Sequence, residues 1–221
     1  MKFSKLGVVA VAAVTGVYIR AIFFTPFDAL QGPAQKIFYV HAASAWVALF
    51  LASGLVFITS VLYLWLKDPK LDRVAASAAE VGFVFTTVVL ITGPLWAKPV
   101  WGTFWTWDAR LTLTLFLWFI YAGYIIMRGA IDDFAMRARF SAVLGILAAI
   151  LVPFIHLSVY FFRTLHPMPV MLKPSAPSMP REMVITMVSS FLAFTLLFAW
   201  LLDERYKLAV DIDAARERSV S

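Results

Sequence analysis

Four of the chain's eight tryptophans fall within twelve residues, in the stretch Trp96-Ala97-Lys98-Pro99-Val100-Trp101-Gly102-Thr103-Phe104-Trp105-Thr106-Trp107-Asp108-Ala109-Arg110. His41, His156 and His166 are the only histidines, and there is no cysteine. Without thiols there can be no disulfide framework, no thiolate zinc or iron–sulfur site and no Cys-x-x-Cys-His haem attachment. For a soft or borderline metal imidazole is the main ligand left, with Met168 or Met171 as weak alternatives.

Tryptophans this dense admit two readings. Indoles gather at headgroup depth as an aromatic belt, but a belt spreads over many span ends. Here they sit in one loop with Gly102, Asp108 and Arg110 among them. Were the stretch helical, Trp101, Trp105 and Asp108 would share one face, with Trp107 pointing elsewhere. Such a face is a flat aromatic shelf with a charged edge. Between histidines, it matches an iron porphyrin: a large apolar disc suited to indole faces, an iron that takes one or two imidazoles, and propionates that guanidinium groups fork. Arg110, Arg163 and Lys98 are the cations at hand. Asp108 can instead cap a following helix, and Arg110 can anchor at the interface.

The elements that must position these residues are set by hydrophobicity. The chain has 221 residues, 62% hydrophobic and 14% charged, with a mean hydropathy of +0.85. No soluble core of this length hides so much apolar surface, so an integral membrane protein is expected. Six apolar runs reach the ~18 residues that cross a bilayer: about Leu6–Phe24, Phe38–Leu66, Val74–Leu95 (stopped by Gly93-Pro94), Leu111–Met127, Phe140–Phe162 and Met183–Leu202. They do not alternate as barrel strands would, and backbone satisfaction in lipid leaves only helices. The expectation is an all-α, six-helix bundle forming a single membrane domain over residues 1–221. The basic start is read as a retained first span rather than a cleaved signal peptide.

With the N-terminus inside, the inner segments carry twelve Lys and Arg and the outer ones seven. That favours both termini in the cytoplasm. Membrane topology, not nucleic acid, then accounts for the net charge of +6. The tryptophan loop, about 96–110, falls on the outer side. So does the proline-rich loop at about 163–182. All three histidines map to that side: His41 at the start of span two, His156 near the end of span five, His166 in the last outer loop. Glu80 lies about one and a half turns inside span three and is expected to snorkel to the interface. The tail, 203–221, reads as a short solvated or amphipathic end.

The segment Trp101-Gly102-Thr103-Phe104-Trp105-Thr106-Trp107-Asp108-Ala109-Arg110-Leu111-Thr112 resembles the tryptophan-rich "WWD" signature of haem-handling membrane proteins. Its Asp-Ala-Arg-Leu-Thr ending resembles the cytochrome c maturation protein C branch. Phe38-Tyr39-Val40-His41-Ala42-Ala43-Ser44-Ala45-Trp46 resembles that family's first histidine segment. Pro153-Phe154-Ile155-His156-Leu157-Ser158-Val159, followed by Arg163-Thr164-Leu165-His166-Pro167, resembles its second. The chain departs where Phe104, Phe161-Phe162 and Pro167 stand: the family often has tryptophans at the first three and glutamine at the last.

The resemblance implies a haem-handling subunit of cytochrome c maturation in the cytoplasmic (inner) membrane. It would bind haem b (iron protoporphyrin IX) non-covalently at the periplasmic face. His41 and His166 would be the axial ligands, with Trp101, Gly102, Trp105, Trp107, Asp108, Arg110 and Arg163 around the macrocycle. His156 would be a further ligand or relay, or a helix-packing histidine. Implied partners are a periplasmic haem chaperone (cytochrome c maturation protein E), an ABC transporter ATPase and membrane subunit, a small single-span helper and membrane lipid. The sequence has no Gly-x-x-x-x-Gly-Lys loop, so ATP use would fall to those partners. A binding or transport subunit fits better than an enzyme. The rival readings are a haem exporter acting across the bilayer and a docking scaffold without cofactor.

Overall fold

The computed structural model describes residues 4–171 and 173–220. Lys2 of the basic start, Ser221 of the tail and the side chain of Arg216 lie outside the described residues. Six helices are long and apolar enough to cross a membrane, as the apolar runs require. They are α1 (Lys5–Phe24), α2 (Pro33–Leu66), α3 (Pro69–Trp101), α4 (Ala109–Ala130), α5 (Phe134–Phe161) and α6 (Arg181–Val220). Among the described residues there is no strand. The chain is a multi-pass, all-helical membrane protein.

Local chemistry sets the helix starts. Ser4 caps α1 by accepting from Gly7 N at 3.1 Å. Asp68 caps α3 from Lys70 N, with Pro69 at the first helical position. Asp108 caps α4 from Leu111 N at 3.0 Å, and Asp133 caps α5 from Met136 N at 2.6 Å. Each side-chain oxygen satisfies an amide that the helix leaves orphaned. Lys67 (φ 56°) ends α2 and Gly102 (φ 78°) ends α3 in left-handed conformations.

α2 and α3 are central. α2 packs on α3 and α5, α3 on α4 and α6, α4 on α5, and α1 on α6. One core cluster joins Tyr39, Val47, Phe85, Met187 and Phe194. A second joins Val56, Leu117, Tyr121, Tyr124 and Ile155. Small residues let the backbones approach: a Cβ on Gly82 would lie 2.9 Å from Ala52 Cβ, and one on Gly145 would lie 2.7 Å from Val56 Cγ1.

Four expectations need correction. α3 does not stop at Gly93-Pro94: it continues through Pro94 and Pro99 to Trp101. Proline's fixed φ suits a helix, and the lost amide bond is tolerated in membrane helices where neighbours and local adjustment compensate. The stop comes at Gly102, whose N–H reaches Lys98 O at 3.0 Å. Consequently residues 102–108 are not helical, and Trp101, Trp105 and Asp108 do not share a helix face. Glu80 is not snorkelling but is gripped by Arg205 through two nitrogens, Nη2 to Oε1 at 2.6 Å and Nε to Oε2. The tail is not a separate end either. It continues α6, tied back by Arg205 to Glu80 and by Asp213 to Arg73 Nε at 3.2 Å.

Candidate functional site

At the end of the bundle expected to face outward, α2, α3, the start of α4, the end of α5 and the 162–180 loop enclose a cavity of about 310 Å³. Mid-way along α2, residues Trp46–Ala52 form a wider π-helical turn. Trp46 and Phe50 of that turn line the cavity; such turns often sit at functional sites.

His41, His156 and His166 all line this space. His41 rises from the third turn of α2 and meets α3. Its Nδ1 lies 2.9 Å from Thr92 Oγ1. Its ring sits edge-on to Trp96, centroids 5.8 Å apart. Trp96 is held in turn by Gln31, whose Oε1 accepts from the indole N–H at 3.0 Å. His166 stands in the loop, its backbone N–H donating to Thr164 Oγ1 at 3.0 Å. Its Nδ1 is 3.0 Å from Pro167 O. A carbonyl only accepts, so Nδ1 carries the proton and Nε2 keeps its lone pair. Burial, then the Arg110 charge, pushes the His166 imidazole down to about 3, so it is neutral at physiological pH. His156 packs edge-on against Phe50, centroids 5.7 Å apart.

Arg110 occupies the first turn of α4, where the helix dipole is positive and a cation is unfavourable. Asp108 does not offset it by hydrogen bonding: its oxygens take Leu111 N and, at 3.1 Å, the Thr106 hydroxyl. Arg110 Nη1 and Trp105 Nε1 are buried donors with no hydrogen-bond partner among the described residues. Both residues line the cavity. Buried donors without acceptors are rare and costly, and a guanidinium and an indole N–H are both groups that can donate to a carboxylate.

The structure thus brings together His41, His166, Trp101, Trp105 and Arg110. Gly102, Trp107, Asp108 and Arg163 do not line the cavity. Trp107 is 76% exposed, its ring edge-on to Trp105. Gly102 is the exposed end of α3, Asp108 caps α4, and Arg163 is exposed on the loop. Lys98 turns to Gly102 O at 2.9 Å and lies over the Phe104 ring. Met168 and Met171 line the space.

Trp46, Thr92, Gly93 and Trp96 were not anticipated as contacts of the site. Of these, Trp96 lies beyond the expected stop at Gly93-Pro94, whereas Thr92 and Gly93 lie within the expected span. Thr92 and Trp96 are one helical turn apart, and Trp96 meets His41 on the same side as Thr92 because the helix runs on through Pro94.

The residues fit haem on their own chemistry. Two imidazoles come from separate elements, and His166 keeps Nε2 for a ligand. Indole faces line the walls, and two unmatched donors could receive a propionate.

Residues 2–220 match the family described as CcmC, heme exporter protein C. The chain is 38% identical to heme exporter protein C of Bradyrhizobium diazoefficiens, over 84% of this chain and 70% of that protein. It is 34% identical to heme exporter protein C of Haemophilus influenzae, over 84% of this chain and 75% of that protein. A mitochondrial protein of Marchantia polymorpha, named as cytochrome c biosynthesis ccmC-like, is 39% identical over 66% of this chain and 61% of its own length.

Proposed function

The chain belongs to the CcmC (heme exporter protein C) family, and from that premise we propose that it holds haem for cytochrome c maturation at the cavity between α2, α3, α5 and the 162–180 loop. The cargo is haem b, bound without covalent linkage. His41 and His166 would hold the iron through Nε2. Trp101 and Trp105 cover the macrocycle, while Arg110 and the Trp105 N–H receive propionate oxygen.

One observation carries this reading: imidazoles from two distant segments share a cavity with a half-buried guanidinium whose buried Nη1 has no hydrogen-bond partner among the described residues. An ordinary helix-packing site would pair Arg110 internally. Haem bound there would supply a redox-active iron, which His41 and His166 together would hold. His166, on a loop rather than a helix, is the ligand better suited to yield.

The cavity end faces the periplasm by the charge balance of the loops, in the cytoplasmic (inner) membrane. From there haem passes to a periplasmic chaperone of the cytochrome c maturation protein E kind. An ABC-type ATPase with its membrane subunit, and a small single-span helper, complete the assembly. Movement of haem across the bilayer by this chain alone is disfavoured, because the fully buried Leu117, Tyr121, Tyr124 and Val56 occupy the core with which Ile155, at the cavity wall, packs.

The test is the absorption spectrum of the protein purified from haem-replete membranes. A low-spin haem spectrum is expected, altered in His41→Ala and His166→Ala and weakened in Arg110→Gln. A protein that carries no chromophore but still binds its partners would instead be a docking scaffold. A low-spin spectrum unchanged in both histidine variants would remove these ligands.

A further inference from the structure

We propose that Thr92 is the positioning residue for His41: its hydroxyl accepts the Nδ1–H of the imidazole and leaves Nε2 bare for a ligand in the cavity. The inference rests on the haem reading above and deepens it.

The protons at hand fix the direction of this hydrogen bond. A threonine hydroxyl has one. Thr92 Oγ1 lies 2.7 Å from Val88 O, the carbonyl one turn back. Two oxygens at that separation need a proton between them, and a carbonyl has none to give. The Thr92 proton is therefore spent on Val88, as helical threonines commonly arrange. Towards His41 the same oxygen can only accept. At 2.9 Å it faces Nδ1, so Nδ1 carries the hydrogen. In a neutral imidazole the other nitrogen then holds the lone pair.

The surroundings fix the ring as well as its tautomer. Gly93 is adjacent to Thr92, and a Cβ there would lie 3.2 Å from His41 Cε1. Trp96, one turn on, meets the ring edge-on. Three residues of α3 thus hold the imidazole. A ligand histidine generally donates its remote N–H to such an acceptor, and losing that acceptor weakens metal binding about tenfold or more. His166 uses its neighbour's carbonyl for the same purpose, so the two imidazoles are matched in tautomer though held by different means.

The test uses the full-length protein in detergent, labelled with nitrogen-15 histidine, first haem-free. His41 signals are identified by subtraction of a His41→Gln sample. The expectation is a protonated Nδ1 and a bare Nε2 in the wild type and in Thr92→Ser, and a mixture of tautomers in Thr92→Val. On loading with haem, Thr92→Val should retain it about tenfold less well and show a high-spin fraction, with Thr92→Ser restoring the low-spin spectrum.

A wild-type His41 protonated on Nε2 overturns the proposal. So does a Thr92→Val protein with wild-type tautomer and spectrum. If Thr92→Val does not fold, the wild-type nitrogen spectrum and Thr92→Ser still decide. The expected tautomers without any haem spectrum in the wild type would sink the haem reading while supporting the Thr92 contact.

Discussion

Gly93 stands against His41 so closely that a methyl group on it would lie 3.2 Å from the imidazole Cε1. That is tighter than ordinary packing, so the ring must give by a few tenths of an ångström. Within a helix, alanine is favoured over glycine by up to about 1 kcal/mol, which offsets the crowding. Gly93→Ala should therefore leave thermal stability nearly unchanged while loosening haem and shifting its spectrum. Unfolding curves and a haem titration on the same sample separate the two effects. Tight, unperturbed haem in this variant would mean the ring has room that the structure does not show.

The six spans were legible because hydropathy over ~18 residues has no other reading at this composition. The Asp108 cap was legible too, since an aspartate before an apolar helix has few alternatives. The Gly93-Pro94 pair was not. In water it ends a helix, whereas here α3 continues to Trp101, and the regular spacing of a helix face does not carry across the true break at Gly102. For the same reason Trp105 reaches the cavity from an irregular segment, and Trp107, two residues on, points away. Trp46 also escaped notice, because the wide turn of α2 that presents it leaves no mark in the apolar pattern.

Close helix approach predicts a stability effect remote from the cavity. A Cβ on Gly145 of α5 would meet Val56 Cγ1 at 2.7 Å and Ser60 Oγ at 2.8 Å on α2. Overpacking of this kind costs about 1–3 kcal/mol. Gly145→Ala should lower the thermal midpoint with little change in the bound-haem spectrum. Gly123→Ala in α4, where a Cβ meets nothing within 4 Å, is the control and should be neutral or stabilising. Equal behaviour of the two variants would contradict the α2–α5 packing.

At the opposite end, Arg128 holds Asp72 with both terminal nitrogens, at 2.7 and 2.9 Å, and reaches Ser141 Oγ at 3.0 Å. Asp72 is 2% exposed. Removing one partner strands a buried charge, an effect of about 3–5 kcal/mol in well-buried pairs. Asp72→Asn should thus be strongly destabilising, and the double variant Asp72→Asn with Arg128→Gln should recover part of the loss. A double-mutant cycle on thermal stability measures the coupling; strictly additive losses would show that the pair contributes nothing beyond its separate parts.

The 162–180 loop should loosen as pH falls. With the loop in place, burial and the nearby Arg110 push the His166 imidazole down to about 3. With the loop open, the imidazole regains its ordinary value near 6.5. Below that value the open form takes up a proton that the closed form refuses. Closure is therefore fully favoured above about pH 6.5 and is lost progressively as pH falls towards 3, by at most about tenfold per unit. Hydrogen exchange of residues 164–171 in the haem-free protein, corrected for the intrinsic pH dependence of amide chemistry, reads this opening directly. Protection should decline from pH 7 to pH 5 in the wild type and stay flat in His166→Gln. Protection independent of pH in the wild type would mean that His166 does not change its surroundings when the loop opens, and that another group sets the loop's position against the cavity.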